Sequence, residues 1–382
     1  MLSISRYQKP FFWVCLLSAL LPLRTWGQTP TPPENGYLEL VQAGNLLLQN
    51  SVFLSKIRDK DAYNNPKEIM QLAEVKEAQR LLRRGLQKPI QLIEEKDATD
   101  VESFLAAQAE LDRYPQLRML TALCAMEHAA ETKEGHPTEA VTALQNILRL
   151  RQVVSDKSLM GWRIGRSMLE TVTRSTNIAL RTATVEQIRL YPPLLEPLLT
   201  APPSLLPILI EAEQQAYKPI QEMDNNAKSR QAELDTLRKQ NAKAAAEVEG
   251  YLKKHEKESS PYLKRVHTII EGYFTTLRES LDRAAVLREK PLLPNPKSPE
   301  GKLFQLLVPN YASLLSLHDQ EILNLRMTLL HARLKQYKAE TGEFPDTLDA
   351  LQPGILSIDP FTAKPFVYQK AKETFVLNLP KP

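Results

Sequence analysis

What this chain lacks narrows it first. Glycine is scarce, 12 among 382 residues, so a glycine-rich phosphate cradle is not available and one common helix-weakening residue is rare. Cysteine occurs twice, as Cys15 and Cys124, too few for a disulfide framework and too far apart for a Cys-x-x-Cys pair. His-Glu-x-x-His and Gly-x-Ser-x-Gly do not occur either, which removes the commonest zinc-peptidase and serine-hydrolase signatures. Numerous carboxylates remain, but carboxylate catalysis depends on a spatial separation that sequence does not supply. No catalytic residue, cofactor-binding residue or metal ligand is therefore assigned, and no cofactor is expected.

Neither sign of charge dominates, with 49 Lys and Arg against 45 Asp and Glu. What excess there is sits at the start. Arg6 and Lys9 precede an apolar run from Phe11 to Leu23, and Thr25 and Gly27 occupy the small-residue places of a cleavage site. Residues 1–27 are expected to be an export signal. The apolar run is too short to span a bilayer, so membrane attachment is expected only through an uncleaved signal. Cleavage would remove Arg6, Lys9 and Arg24, leaving 46 basic against 45 acidic residues, a charge of +1. That balance gives no electrostatic case for nucleic acid.

What the chain has in quantity is Leu, Ala, Glu, Gln, Lys and Arg, the strongest helix formers. After a proline-rich tether at 28–36, helical patterning runs from Tyr37 to Ile57, and a second helix is expected from Pro66 to Leu86. A helical hairpin is expected over Tyr114–Val154. Leu117, Leu120, Cys124 and His128 line one face, Glu134 to Pro137 form the turn, and Thr138 caps the return helix. A further helix, Leu159 to Arg181, precedes a proline cluster from Pro192 to Pro207, read as helix-initiating residues in a packed corner.

Residues 211–258 show an unbroken three–four spacing from Ile220 through Met223, Leu234, Leu237, Asn241 and Val248 to Tyr251. This predicts one long coiled-coil-like helix, pairing antiparallel with a second stripe from Leu263 to Leu281. A third proline cluster, Pro291 to Pro299, separates this hairpin from a long helix between Ser313 and Glu340. Gly342 should stop that helix in a left-handed cap, and residues 366–368 and 374–377 alternate as two strands. The fold class is mainly α, a multi-helix body with long antiparallel helical hairpins and a small C-terminal α+β cap ending in a two-stranded β-hairpin. The expected units are 37–210, 211–290 and 300–382.

Polar groups in helical register are read as ordinary. His267 and Glu271 form a surface pair, and His318-Asp319-x-Glu321 a solvated face. Cys124 and His128 belong to the edge of the core, with Cys124 an inert thiol.

The C-terminal stretch carries a recognisable order: a helix ending near Tyr337, then Gly342-x-Phe344-Pro345, Leu348-x-x-Leu351, Asp359-Pro360-Phe361, Pro365 and Tyr368. It resembles the C-terminal half of the type II secretion pseudopilin G-like module. The chain as a whole resembles a group of uncharacterised exported helical proteins of environmental bacteria. It lacks a prepilin cleavage site before the apolar run, and the segment after Tyr368 has no acidic calcium loop. Filament assembly and calcium binding are therefore not carried over. The resemblance implies work outside the cytoplasm. The expected function is a non-enzymatic exported scaffold or adaptor with protein partners in the cell envelope, periplasmic or extracellular. The alternative is an extracytoplasmic hydrolase whose carboxylates converge only in the fold.

Overall fold

The structure, a computed structural model, describes residues 35–58, 66–90, 100–154, 159–200 and 204–381. The expected signal and most of the tether lie outside the described residues. Among the described residues the protein is mainly α, with fourteen α-helices and one two-stranded sheet. No helix among them is long and apolar enough to cross a membrane.

Helices α1 (Tyr37–Gln49), α2 (Ser51–Arg58), α3 (Lys67–Met70) and α4 (Ala73–Leu86) open the body. Both helices expected here are interrupted. Asn50 turns extended between α1 and α2, and its side chain accepts from the Phe53 amide at 2.8 Å. Leu72, extended at φ −60°, ψ 138°, separates α3 from α4. Glycines permit close crossings: a Cβ on Gly36 would meet the Gly85 carbonyl oxygen at 2.1 Å, and one on Gly44 would lie 2.3 Å from Gln116.

Next come α5 (Asp100–Glu134) and α6 (Pro137–Val154), the expected hairpin. Gly135 makes its turn at φ 79°, a left-handed conformation that costs other residues most. Pro137 is the first helical residue, so Thr138 sits inside α6 rather than capping it. Proline at that place needs no amide partner and presets the helical φ.

Helices α7 (Leu159–Ala179) and α8 (Val185–Thr200) extend the first core. Pro192, Pro193 and Pro197 were expected to start helices, yet all three lie within α8. Interior prolines cost a helix hydrogen bonds. Here Ile188, Tyr191, Leu194 and Leu195 are buried from the same helix, and tertiary burial of that face outweighs the local penalty.

The region expected as one long helix is three: α9 (Leu206–Asn225), α10 (Ala227–Gln240) and α11 (Ala242–Lys254). Asn226 and Asn241 are both extended, and each caps the helix that follows by accepting an amide hydrogen, from Ser229 and Ala244. Helix α10 therefore packs on α9 and α11 on α10, and the continuous seam does not form. The antiparallel partner of α12 (Ser259–Glu279) is α9. Ser260 bonds Asp224, His267 stacks on Tyr217 at 4.1 Å, and Arg278 pairs with Glu213. The boundary drawn at 210/211 falls inside α9.

Helix α13 (Pro299–Leu307) follows, with Ser298 capping it through the Gly301 amide at 3.0 Å. Helix α14 (Ala312–Thr341) is thirty residues long and joins the two cores. Its first turns bring Leu314 and Leu315 into a core built with α9–α13, while Leu323 to Leu334 join the core of α1 and α4–α8. Gly342 stops it in the left-handed region, φ 90°, with its amide on the Lys338 carbonyl at 2.8 Å. Strands β1 (Val367–Lys370) and β2 (Phe375–Asn378) pair antiparallel, Tyr368 opposite Leu377.

The C-terminal cap does not keep a small core of its own. Phe344, Leu348, Leu356 and Phe366 are buried in the same cluster as α1 and α4–α8, and Leu351, Phe361, Tyr368, Phe375 and Leu377 pack against it. A lone hairpin is marginal in water; this one is held by that shared core.

Candidate functional site

Glu321 is 5% exposed, Asp319 2% and His318 6%. The triad expected on a solvated face is thus buried in the first third of α14. The reason lies in the rest of the helix. Buried residues at 314, 315, 318, 319, 321, 323, 325, 328, 329 and 330 cover more than half of its circumference, and a charge on so wide a buried face must be paired.

Each carboxylate has an arginine from a distant element. Arg151 of α6 reaches Glu321 at 2.7 Å, and its Nε donates to the Gly165 carbonyl of α7 at 3.0 Å. Arg288, just after the turn Ala285–Leu287, holds both Asp319 oxygens at 2.5 and 2.7 Å, and its Nε donates to the Ser280 carbonyl at 2.8 Å. One turn further along, Arg326 donates to the Ile358 carbonyl at 2.6 Å. Burial pushes the Asp319 and Glu321 carboxyls up, and the facing guanidinium pulls each back. Burial, reinforced by the Arg288 and Arg151 charges, lowers His318 to about 4. The imidazole is therefore neutral at ordinary pH.

The cluster borders a cavity lined by Arg166, Leu169, Glu170, Thr173, Glu321 and Asn324, with a volume of about 10 Å³. That is room for about one water, not for a substrate. Glu321 Oε2 is buried beside it without a protein partner.

The motif residues at the C-terminus come together in two groups. Phe344 packs edge-on to Phe375 at 5.0 Å, Lys338 lies 4.9 Å over the Phe344 ring, and the Tyr368 hydroxyl donates to the buried Pro345 carbonyl at 2.7 Å. Tyr337 is half-buried, its carbonyl accepting the Thr341 hydroxyl at 2.8 Å. Leu348 and Leu351 bound a short 3-10 turn. In the second group Asp359, 2% exposed, accepts from the Phe361 amide at 3.0 Å and the Thr362 hydroxyl at 2.6 Å. Its neighbours Pro360 and Phe361 offer their carbonyls to the amides of Ala285 and Val286, both at 3.0 Å, and Pro365 bridges to Ile358. The segment that delivers Arg288 to Asp319 is thereby docked on the Asp-Pro-Phe turn. Sequence reasoning missed Arg151, Arg288 and Arg326; a charged triplet set among the leucines at 314, 315, 323 and 325 was the signal for them.

Cys124 and His128, expected at the edge of the core, lie inside it. Cys124 is fully buried and free, burial raising its thiol pKa well above the usual value. His128 donates to the Ala140 carbonyl at 2.9 Å, and burial lowers its pKa. At the α5–α6 turn, Glu131, Glu134 and His136 bring one ligand atom each within 4.8 Å of one another. His136 pairs with Glu131 at 2.8 Å and Lys67 with Glu134 at 3.3 Å, so these exposed charges already have partners.

No protein family model matches the chain, and neither curated proteins nor solved structures yield a match.

Proposed function

We propose that this protein is a non-enzymatic helical scaffold or adaptor exported to the bacterial envelope, where it serves a secretion or surface assembly. The observation that carries the reading is the use made of the buried charges. Asp319 and Glu321 are each engaged by an arginine from another element, beside a cavity with room for about one water. A hydrolase needs carboxylates free to meet water and substrate. These instead fasten α6, α14 and the 280–288 segment to one another, giving the fixed body that a scaffold between partners requires. The export-type N-terminus and the resemblance of residues 325–378 to a secretion-linked module support that location.

Cell fractionation with mild crosslinking tests this. The protein should sediment or release with the envelope and form discrete crosslinked species. A cytosolic protein that forms none under those conditions would overturn the proposal.

A further inference from the structure

Between the turn at Ala285–Leu287 and α13 the chain reads Arg288-Glu-Lys-Pro291-Leu-Leu-Pro294-Asn-Pro296-Lys297. The three prolines fix their own φ, and each restricts the residue before it to extended backbone. Only Leu292 among residues 290–296 escapes both restrictions. Arg288 opens the run at φ −82°, ψ 136°. Burial then repeats every third residue: Arg288, Pro291 and Pro294 are half-buried, while Glu289, Lys290, Leu292 and Leu293 are exposed. Three residues per turn is the period of a polyproline II helix, which has no internal hydrogen bonds.

Both ends of the run are anchored. Arg288 is tied to Asp319 and to the Ser280 carbonyl. At the other end the Ser298 amide meets the Asn295 carbonyl at 3.0 Å, against which Gly301 packs so closely that a Cβ would lie 1.9 Å from that oxygen. Between these anchors, the backbone from Glu289 to Pro294 makes no hydrogen bond with other described residues. Leu292 is 89% exposed, the highest of any large hydrophobic side chain described, and Leu293 is 64% exposed.

We propose that residues 289–294 are a docking ligand, a preformed polyproline II strand for an aromatic-lined, acid-rimmed groove on a folded protein partner. Such grooves take Leu and Pro side chains between aromatic rings, and their Trp and Tyr donors reach free backbone carbonyls. Lys290 and Lys297, both exposed and with no ion-pair partner among the described residues, match an acidic rim. The strand is ordered before binding, so little conformational entropy is lost on docking. This names what docks on the proposed adaptor but rests on the segment alone; a protein that failed fractionation could still pass the following test.

The full chain is titrated with purified SH3 and WW domains, chosen as aromatic grooves with acidic rims, and binding is read by the domains' tryptophan fluorescence. Saturable micromolar binding is expected for at least one. Leu292→Asp and Leu293→Asp should each weaken it at least tenfold with the melting temperature unchanged, because both side chains are exposed; Pro291→Gly with Pro294→Gly should weaken it similarly and also lower the melting temperature slightly, because glycine frees the unfolded chain. Lys290→Glu should weaken it less, and the difference should shrink in high salt. No binding at millimolar domain, or unaltered binding by the leucine variants, overturns the proposal. Self-association lost in Leu292→Asp would assign the segment to a second copy instead, and flotation with anionic vesicles lost in the same variant would assign it to lipid; either overturns it.

Discussion

Two charged stretches of helix end in opposite environments. On α10 and α11, Asp235, Lys239, Lys243, Glu247 and Lys253 are exposed, and their ion pairs lie at the surface: Arg238 with Asp235 at 2.5 Å and Lys253 with Glu249 at 2.7 Å. On α14, His318, Asp319 and Glu321 are shut inside and held by Arg288 and Arg151, whose side chains are only 10% and 9% exposed. Charge density does not separate the two. The distribution of apolar residues does. Helices α10 and α11 bury only Leu234, Leu237, Ala245, Val248 and Leu252, a stripe that leaves the remaining faces to water, whereas α14 is enclosed from several sides.

The sharpest way to break this comparison is Glu321→Ala, which strands Arg151 in the interior. A loss of roughly 3–5 kcal/mol is expected, read by urea denaturation. Replacing both partners by Met and Leu of similar volume should recover most of it. A loss below about 1 kcal/mol for the single change would mean that the pair is wet, like those on α11.

Acid should act on the same place. His318 stays neutral in the folded protein down to about 4, whereas its ordinary value is 6.5. Its depressed value gives stability that is full above pH 6.5 and falls as the unfolded chain takes a proton that the folded one refuses. About 3 kcal/mol is at stake by pH 4. The raised carboxyls of Asp319 and Glu321 act with the opposite sign, so the measurement is the difference between parent and His318→Gln across pH 7 to 4. The variant should lose less stability on acidification. Parallel curves would show that His318 meets solvent.

Smaller effects probe the exposed side. Asn241→Ala removes the side chain that caps α11 through the Ala244 amide at 3.1 Å and should cost about 1 kcal/mol. If helicity and stability rose instead, the long continuous helix would be the intrinsic preference and the break imposed. Least of all, Lys253→Ala should change stability by less than about 0.5 kcal/mol, because Lys253 is exposed and Glu249, four residues away, keeps Arg238 as a second partner.

Much of the fold was legible because its signals are local. Gly135 and Gly342 sit where helices end, and both take positive φ. The alternation at 366–368 and 374–377 falls, within one to two residues, on the paired strands Val367–Lys370 and Phe375–Asn378. The Asn breaks were legible too, yet passed unread: Asn226-Ala-Lys and Asn241-Ala-Lys are the same triplet, each an N-cap opening a helix. A heptad stripe that spans both asparagines concealed them. The candidate site was less legible, since His318, Asp319 and Glu321 look on their own like any polar helix face.

By itself, then, the sequence determined the helical class, the caps and turns that end particular elements, and the restricted backbone of the proline run at 290–296. These depend on φ preferences and hydrogen bonds that act within about four residues. Only the tertiary structure decided that α8 would run through three prolines, that α12 would pair with α9 across two intervening helices, and that the charges of α14 would be interior. Arg151 and Glu321 are 170 residues apart in the chain, Arg288 and Asp319 31. Desolvation and pairing at such separations are set by which surfaces the folded chain brings together, and no local preference encodes them.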